Sequence, residues 1–230
     1  MKKVTKQMEK WTAKLGREYT NTNLHTLEER EKWYLKNLGI TRTKMNLEFL
    51  GNLPSSLRIL EVGCNIGTQL LYLQKMGFKS LYGLELQNYA VELSKSRTKD
   101  INIIQGSAFD IPFRDGFFDL VYTSTLLIHI APVDIEQVLK GIYRCTKNYI
   151  WGYEFFAENY TQLKFRGEKE LLWKTNFAKL YLDTFKDLRL IKEKKFKYLP
   201  DPNDNKYQNC LDTMFLLEKG SSEEKNKKEE

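Results

Sequence analysis

Residues suited to chemistry concentrate in one short stretch, residues 58–71, which reads "RILEVGCNIGTQLL". An acidic residue, Glu61, precedes a turn that holds two glycines, Gly63 and Gly67, with Asn65 between them. Glycine permits positive φ angles and a close approach of the backbone to a ligand. A helix that begins after such a turn offers unpaired N–H groups to anionic or polar groups. Many strand-to-helix turns hold two glycines and bind nothing, so the stretch alone leaves a purely structural role open.

Further polar residues recur where the next apolar runs end. Glu85 lies near the end of "LYGLEL", 24 residues after Glu61, where an acid can accept hydrogen bonds from both hydroxyls of a ribose. Ser107 and Asp110 follow the third run, and "YTST" ends the fourth. Ligands bind outside the carboxyl ends of strands in open α/β sheets, so we expect these points to border one site.

The order of these features distinguishes between nucleotide cofactors. The dinucleotide-binding pattern G-x-G-x-x-G places a pyrophosphate at the start of the helix. Here an acid precedes the loop, and Asn65 stands where a middle glycine would be. A carboxylate repels a pyrophosphate but suits a cofactor that carries an ammonium and a sulfonium group. The residues therefore predict S-adenosyl-L-methionine as the cofactor.

The elements that must position these residues alternate along the middle of the chain. From residue 57 to about residue 156, apolar runs typical of buried strands alternate with amphipathic helical patterns, which predicts a parallel sheet covered by helices on both faces. Before it, residues 5–15 and 25–50 have helical spacing. After it, "ELLWKTNFAKLYLDTF" predicts a helix, and "LRLIKEKKFKYLP" and "CLDTMFLLEK" predict two strands. The final "GSSEEKNKKEE" has no apolar residue and predicts a disordered tail.

Four stretches together resemble motifs I to IV of class I S-adenosylmethionine-dependent methyltransferases: "ILEVGCNIGTQLL", "LYGLEL", "IIQGSAFDIPF" and "FFDLVYTSTLLIHI". A narrower resemblance, nearly from Gly16 to Glu218, is to the pseudaminic acid biosynthesis-associated methylase family. It rests on "GREYTNTN", on "EVGCNIG", where Asn is the usual form at position 65, and on "FRGEKELLWKTNFAKLYLDTFKDLRL". The resemblance implies an α/β fold with a doubly wound, mostly parallel seven-stranded sheet (the Rossmann-like methyltransferase fold), N-terminal helices and an antiparallel C-terminal strand pair.

The resemblance also implies a division of the chain and a set of cofactor-binding residues. Residues 1–50 would form a helical lid, residues 51–218 the methyltransferase domain with a substrate insert at about 155–185, and residues 219–230 a disordered tail. Many class I enzymes have Asp at the position of Ser107, which leaves the adenine contact open. The implied cofactor-binding residues are Tyr19, Asn23, Arg42, Glu61, Gly63, Asn65, Gly67, Glu85, Leu86, Ser107, Ala108, Phe109 and Thr123.

Two titratable residues near the predicted strand ends are candidates for catalysis. His129, in "LLIHIAP", could remove a proton from the acceptor, or could pack or cap beside Pro132. Glu154, in "WGYEFF", could act as a base or bind a sugar hydroxyl, or could face solvent. The candidate substrate-binding residues, of which the cations suit a carboxylate, are Tyr153, Arg166, Trp173 and Lys174.

The distribution of charge admits three interpretations. The net charge is +7, and the excess of Lys and Arg over Asp and Glu lies in residues 1–50 (11 against 6) and 161–200 (11 against 5). This excess would arise from a solvated lysine-rich surface, from a nucleic-acid-binding stripe, or from a binding site for a small anionic substrate. Three dispersed cysteines and two histidines predict no metal site and a reducing cytoplasm. No signal peptide and no membrane span are expected, since no apolar run approaches the ~20 residues that cross a bilayer.

Together these features predict an S-adenosylmethionine-dependent methyltransferase that acts on a small polar acceptor. The expected acceptor is an anionic sugar, nucleotide-sugar or nonulosonic acid of surface-glycan biosynthesis, with O-methylation favoured. The Asp/Asn-Pro-Pro-Tyr/Phe signature of amino-group DNA methylases is absent, since "YTSTLL" stands there. The alternatives are an RNA or other nucleic-acid methyltransferase, favoured by a pI near 9.1, and a non-catalytic binding protein that keeps the fold.

Overall fold

A seven-stranded sheet forms the centre of the protein, whose computed structural model describes residues 4–200 and 210–220. The strands are β1 (Arg58–Val62), β2 (Ser80–Glu85), β3 (Asn102–Gln105), β4 (Phe118–Ser124), β5 (Thr146–Phe155), β6 (Thr161–Phe165), β7 (Glu168–Lys174), β8 (Leu188–Lys197) and β9 (Leu211–Lys219). The sheet has the order β3-β2-β1-β4-β5-β9-β8, in which β1 to β5 are parallel and β9 is antiparallel to β5 and β8. The predicted Rossmann-like methyltransferase fold is confirmed.

Helices cover both faces of this sheet. They are α1 (Lys6–Thr12), α2 (Lys14–Thr22), α3 (Leu27–Leu38), α4 (Arg42–Leu50), α5 (Thr68–Lys75), α6 (Asn88–Arg97), α7 (Ile135–Cys145) and α8 (Phe177–Thr184). Successive strand residues point to opposite faces, so Ile59 and Leu60 belong to two separate apolar cores. Helices α3 to α6 contribute to the Ile59 core, and α7 and α8 to the Leu60 core. The carboxyl ends of the parallel strands therefore meet at one edge, where a site can form.

The prediction of one helix over residues 170–185 is wrong in its first part. Strand β7 occupies that part and pairs with β6 in a separate antiparallel hairpin. Arg166 and Gly167 take positive φ angles of 51° and 85° at its turn. Residues 171–173 are all buried, and a short continuous apolar run fits a strand or a helix equally well by periodicity. Helix α8 begins only after Asn176, whose side chain accepts a hydrogen bond from a backbone N–H of the first turn.

The first two helices and the β6–β7 hairpin join at the carboxyl edge of the sheet. Lys10 of α1 lies 2.9 Å from the carboxylate of Glu168, and the side chain of Gln7 also donates to the hairpin backbone. At the hairpin turn, Arg166 donates a hydrogen bond of 2.9 Å to the hydroxyl of Thr22, the last residue of α2. We call α1, α2 and this hairpin the cap, because together they cover the strand ends.

The C-terminal segment was predicted to be disordered from residue 219 onward. Lys219 instead ends β9, and the N–H of Gly220 donates to the carbonyl oxygen of Asp187 at 2.8 Å. The remainder of the predicted tail and the turn-rich residues 201–208 lie outside the described residues. Among the helices that the structure describes, none is both long enough and apolar enough to cross a membrane.

Candidate functional site

The turn after β1 has a backbone geometry that few residues tolerate. Gly63, Asn65 and Gly67 have φ angles of 76°, 45° and 75°. A Cβ atom at Gly63 would lie 2.7 Å from Cδ1 of Leu126, and one at Gly67 would lie 2.7 Å from Oγ of Ser94. Asn adopts the left-handed conformation more readily than most residues. Asn65 therefore maintains the turn that a middle glycine would otherwise make.

Asn65 also joins the loop to the cap. Its backbone N–H donates to the Glu85 carboxylate at 2.8 Å, and its side-chain nitrogen donates to the Thr20 hydroxyl in α2 at 3.2 Å. Its Oδ1 and the Oε1 of Gln69 in α5 are buried and have no hydrogen-bond partner among the described residues. Two unpartnered acceptors, one in the loop and one at the start of α5, suit the N–H donors of an ammonium group.

Glu61 places a buried carboxyl group beneath the loop. It is 2% exposed and accepts a hydrogen bond of 2.9 Å from the Tyr122 hydroxyl. Burial raises the pKa of Glu61 to about 8, although the Tyr122 hydrogen bond and the charge of Arg42 oppose the rise. A positively charged ligand group would favour the ionised carboxylate. The chemistry of Glu61 therefore fits the cationic part of S-adenosylmethionine.

Glu85 lies at the end of the neighbouring strand. Its two carboxylate oxygens accept hydrogen bonds of 2.8 Å from the backbone N–H groups of Asn65 and Gln87. Burial raises the pKa of Glu85, while the hydrogen bonds from the backbone oppose the rise. Each carboxylate oxygen can accept a further hydrogen bond. Glu85 can thus organise the loop and still receive two ribose hydroxyls, which fits the predicted cofactor.

A cavity of about 870 Å³ opens at these strand ends beneath the cap, within the roughly 300–1,000 Å³ typical of small-ligand sites. The predicted residues that line it are Tyr19, Asn23, Glu61, Gly63, Asn65, Glu85, Leu86, Ser107, Ala108, Phe109, His129, Tyr153 and Arg166. The predicted residues that do not line it are Arg42, Gly67, Thr123, Glu154, Trp173 and Lys174. The structure therefore brings most of the predicted residues to one cavity.

The wall predicted for an adenine ring is mostly apolar. Leu86, Ala108 and Phe109 contribute apolar surface to the cavity. The hydroxyl of Ser107 accepts a hydrogen bond of 3.2 Å from the N–H of Phe109, so this oxygen stabilises the turn after β3. Gln105 fixes the same wall through a 3.2 Å hydrogen bond to the carbonyl oxygen of Leu86.

His129 ends a short 3-10 helix, Leu127–His129, and lines the cavity. Its Nδ1 lies 2.6 Å from the carbonyl oxygen of Leu171 in the hairpin. A carbonyl oxygen only accepts, so Nδ1 carries the proton and donates it, which leaves a lone pair on Nε2. Burial lowers the pKa of His129 to about 4. The ring packs against Trp11 and Phe165 of the cap, with centroid distances of 4.5 and 5.1 Å.

Glu154 of β5 supports this helix through direct hydrogen bonds. Its carboxylate accepts hydrogen bonds from the N–H groups of Leu126 and Ile128, at 3.2 and 3.4 Å, and from the side chain of Thr123. Burial raises the pKa of Glu154 to about 7, and these hydrogen bonds oppose the rise. The geometry thus gives Glu154 and Thr123 a role in positioning His129.

The remaining predicted residues away from the cavity are held inside the fold. Arg42 is fully buried, donates to Asn46 at 3.0 Å and lies 4.2 Å from the centroid of the Tyr153 ring. It reaches the site through its charge, which opposes the rise in the pKa of Glu61. Trp173 is buried in β7, where Lys174 is the last residue.

Several cavity residues were not predicted from the sequence. Trp11 comes from α1, Arg30 from α3, and Tyr198 and Asp212 from the C-terminal part of the chain. Asp212 was detectable as an acid inside the otherwise apolar pattern "CLDTMFLL". Among the residues that the structure describes, no group of three or more His, Cys, Asp or Glu side chains could hold a metal ion.

The family comparison agrees with this geometry. Residues 60–149 match the family model described as a methyltransferase domain. An uncharacterized methyltransferase of Synechocystis is 31% identical over 104 residues, which cover 45% of this chain and 48% of the relative. The chain spans about half, or less, of the length of the curated relatives it matches.

Solved structures share the fold at low sequence identity. The methyltransferase in a complex with the Haloferax volcanii Trm112 methyltransferase activator has a TM-score of 0.66 and 16% identity, over 95% of this chain and 98% of that chain. The [4+2]-cyclase SpnF has a TM-score of 0.60 and 13% identity, over 78% of this chain and 80% of that chain. Since a cyclase shares the fold, the reaction must be argued from the residues of the site.

Proposed function

We propose that this chain, which carries a class I S-adenosylmethionine-dependent methyltransferase domain, transfers a methyl group from S-adenosylmethionine to a small polar acceptor. One observation carries the proposal: Glu61, Glu85 and His129 line the same capped cavity. Glu61 fits the ammonium group of the cofactor, Glu85 fits its ribose, and His129 offers a proton acceptor. A cyclase shares the fold, so these three side chains, and not the fold, support methyl transfer.

The proposed division of labour follows from the chemistry of each group. The bound cofactor supplies a methyl group made electrophilic by its sulfonium. Glu61 and the oxygens of Asn65 and Gln69 hold the ammonium end, and Glu85 holds the ribose. The cap excludes water and keeps the acceptor in line with the methyl group, and such positioning supplies most of the rate of a transfer between two bound molecules.

His129 is proposed as the base that removes the acceptor proton. Its Nδ1–H group is fixed on the Leu171 carbonyl, which aims the lone pair of Nε2 away from that bond. The low pKa keeps the ring neutral at and above neutral pH, so Nε2 is available as an acceptor. A hydroxyl group must lose its proton on methylation, so a neutral imidazole favours O-methylation.

A sugar or nonulosonic acid of surface-glycan biosynthesis is the proposed acceptor. The resemblance to the pseudaminic acid biosynthesis-associated methylase family supports this class. The roof of the cavity adds physical support, since the cap encloses the site with Trp11, Tyr19 and Phe165, whose rings are in mutual contact, and with the cation Arg166. An aromatic and cationic cavity beneath a cap fits a small acidic molecule better than a nucleic-acid strand.

Cofactor binding is tested first. Calorimetric titration with S-adenosylhomocysteine should give a dissociation constant on the order of micromolar, about −8 kcal/mol. Glu85→Ala should abolish binding, because it removes the ribose acceptor and two hydrogen bonds that shape the loop. Glu92→Gln, which alters an exposed acid of α6 paired with Lys95, is the matched control and should bind as wild type. No binding to the wild-type protein would overturn the proposed function.

The acceptor class is tested by transfer of a radiolabelled methyl group. The panel contains free and nucleotide-activated sugars, acidic and neutral, together with total RNA. Label should enter a sugar and not RNA. In the basic segment 161–200, Lys192 and Lys194 already pair with Glu48, at 3.3 and 2.8 Å. These ion pairs make the two lysines less available to bind phosphate groups. Label in RNA, with a binding constant that falls steeply with salt, would establish the nucleic-acid alternative instead.

The role of His129 is tested in the same assay. His129→Gln should bind S-adenosylhomocysteine normally and lower kcat by roughly 100-fold, the usual size of a general-base contribution. Glu154→Gln should lower kcat less, because the amide can still receive hydrogen bonds on its carbonyl oxygen. Unchanged kcat in His129→Gln would show that positioning alone drives the transfer.

A further inference from the structure

Asp212 brings an unpartnered acceptor to the β9 end of the cavity. The side chain is 1% exposed and lines the cavity wall. Its Oδ2 accepts hydrogen bonds from the hydroxyls of Tyr153 and Tyr198, the second at 2.9 Å. Its Oδ1 is buried and has no partner among the described residues. A buried oxygen without a donor costs free energy, so Oδ1 is suited to a donor group of a ligand.

Arg30 of α3 brings a cation to the same cavity. Its guanidinium lies 5.6 Å from the Trp33 ring centroid and 5.7 Å from that of Tyr34. In the described part of the chain, no carboxylate forms an ion pair with it. A guanidinium held over aromatic rings keeps its N–H groups available, and their planar arrangement matches a carboxylate.

An aromatic wall connects these two groups. The Trp33 and Tyr198 rings are 6.2 Å apart between centroids, and those of Tyr34 and Tyr153 are 6.3 Å apart. All four rings line the cavity. Their faces can cover the apolar side of a sugar ring, while the charged groups at the two ends of the wall bind its polar substituents.

Asp212, at the β9 end of this wall, lies apart from the carboxylates that fit the cofactor. In the sheet, β9 is the third strand from β1, with β4 and β5 between them. Adjacent strands are about 4.8 Å apart, so Asp212 lies roughly 14 Å across the sheet from the β1 loop. A molecule on the wall would therefore be a second ligand beside the cofactor.

We propose that Arg30, the aromatic wall and Asp212 form the acceptor subsite, which takes an acidic polyhydroxylated molecule. Arg30 binds the carboxylate of this molecule, and Oδ1 of Asp212 accepts a hydrogen bond from one of its hydroxyls. The proposal rests on the proposed methyltransferase function. It names the side chains that recognise this acceptor, and these lie outside the segment matched by the methyltransferase domain.

The charge requirement is tested by binding, without turnover. Protein saturated with S-adenosylhomocysteine is titrated with N-acetylneuraminic acid and with glucuronic acid, each beside its methyl ester. At least one acid should bind about 10-fold or more tightly than its ester, the usual size of a charge-assisted contact. In Arg30→Gln, this preference should disappear. Lys32→Gln, which alters an exposed cation of the same helix, should retain it.

Three outcomes would overturn the subsite. The first is that neither acid binds more tightly than its ester, and the second is that Arg30→Gln keeps the preference. The third is that Arg30→Gln loses affinity for S-adenosylhomocysteine itself. The last result would assign Arg30 to the cofactor. Normal S-adenosylhomocysteine binding and sugar methylation without a preference for acids would leave the proposed function intact, so the two failures are distinguishable.

The contact of Asp212 is tested with two variants. Asp212→Asn should weaken acid and ester by the same factor, about 10-fold, because it removes the charge that strengthens a hydroxyl contact. Tyr198→Phe should weaken both by no more than about 3-fold, since it removes one internal donor and leaves Oδ1 in place. Thermal unfolding verifies that both variants fold. Unchanged affinity in folded Asp212→Asn would contradict the proposed contact.

Discussion

The proposed cofactor end and the proposed acceptor end of the cavity are built in different ways. The cofactor end uses the contiguous loop after β1, and Glu85 lies on the adjacent strand. The acceptor end combines Arg30 of α3 with Asp212 of β9, and the cap that roofs the cavity comes from α1, α2 and the hairpin. The first depends on local backbone geometry, and the second depends on packing between distant segments.

This difference indicates where each end can tolerate change. A loop with positive φ angles and buried carboxylates has almost no freedom at each position, since one added Cβ atom collides with a neighbour. The polar contacts that join α1 and α2 to the hairpin lie between exposed side chains and contribute little individually. Substitutions in the loop should therefore act on cofactor binding, and substitutions in the cap on turnover.

The largest effect is expected from Gly63→Val. Its φ of 76° is poorly accessible to a β-branched residue, and the new Cβ atom would lie 2.7 Å from Leu126. We expect S-adenosylhomocysteine affinity to fall about 100-fold or more, a loss of roughly 2.7 kcal/mol or more, in calorimetry. Gly141→Ala in α7, where a Cβ atom would make only ordinary contacts at 3.6 Å, is the control and should bind normally. Equal affinity in the two variants would contradict the difference between the regions.

A smaller loss of affinity, with a gain in stability, is expected from Glu61→Gln. The folded protein holds the Glu61 proton up to about pH 8, while the unfolded chain releases it near the ordinary pKa of 4.5. The unfolded state therefore binds fewer protons between these values, and the contribution of Glu61 to stability decreases as the pH rises through that window. Glu61→Gln lacks this decrease. Its Tm should exceed that of the wild type by about 3 °C or more near pH 8, and by less near pH 6.

The same variant should bind S-adenosylhomocysteine roughly 10-fold to 100-fold more weakly, because it loses a charge-assisted contact to the ammonium. Glu92→Gln controls for the general loss of an acid and should change neither property. A Tm difference that stays constant with pH would show that the Glu61 carboxyl is not the group that titrates.

Arg166→Ala should affect turnover by a modest factor. It removes the 2.9 Å hydrogen bond to Thr22 that closes the hairpin onto α2. We expect kcat/KM to fall about 3-fold to 10-fold, S-adenosylhomocysteine affinity to stay within about 2-fold, and amide hydrogen exchange of α2 to increase. Lys179→Ala breaks an exposed ion pair on α8 and is the control. A loss of cofactor affinity equal to the loss of kcat/KM would place Arg166 in the cofactor end.

The smallest effect is expected from Asn65→Gly. Glycine adopts the φ of 45° without strain but loses the 3.2 Å contact with Thr20 and increases the entropy of the unfolded chain. The absence of strain opposes the lost contact and the added entropy. Affinity should therefore change by no more than about 3-fold and the free energy of unfolding by about 1 kcal/mol or less. Denaturant titration and calorimetry measure both. Glu61 and Gln69 remain to hold the ammonium group in this variant, so a large loss of affinity would show that Oδ1 of Asn65 is the main ammonium contact.

Much of the fold was predictable because its signals are local. Short windows of sequence contain the patterns that predict the alternating strands and helices, the β1 loop and the acids at the strand ends. The hairpin was misassigned because residues 171–173 are all apolar, and such a run carries no period that separates strand from helix. Its strand character depends on pairing with β6 and on the turn at Arg166 and Gly167.

The sequence by itself determined the fold class and the elements of the cofactor end, since glycines and acids at fixed spacing constrain the backbone on which they stand. Only the tertiary structure decided which distant residues share the cavity with them. It placed Glu154 beside the 3-10 helix, buried Arg42, and brought Arg30 and Asp212 to the same cavity. These positions follow from how helices and strands pack, which depends on long-range contacts that no short window of sequence contains.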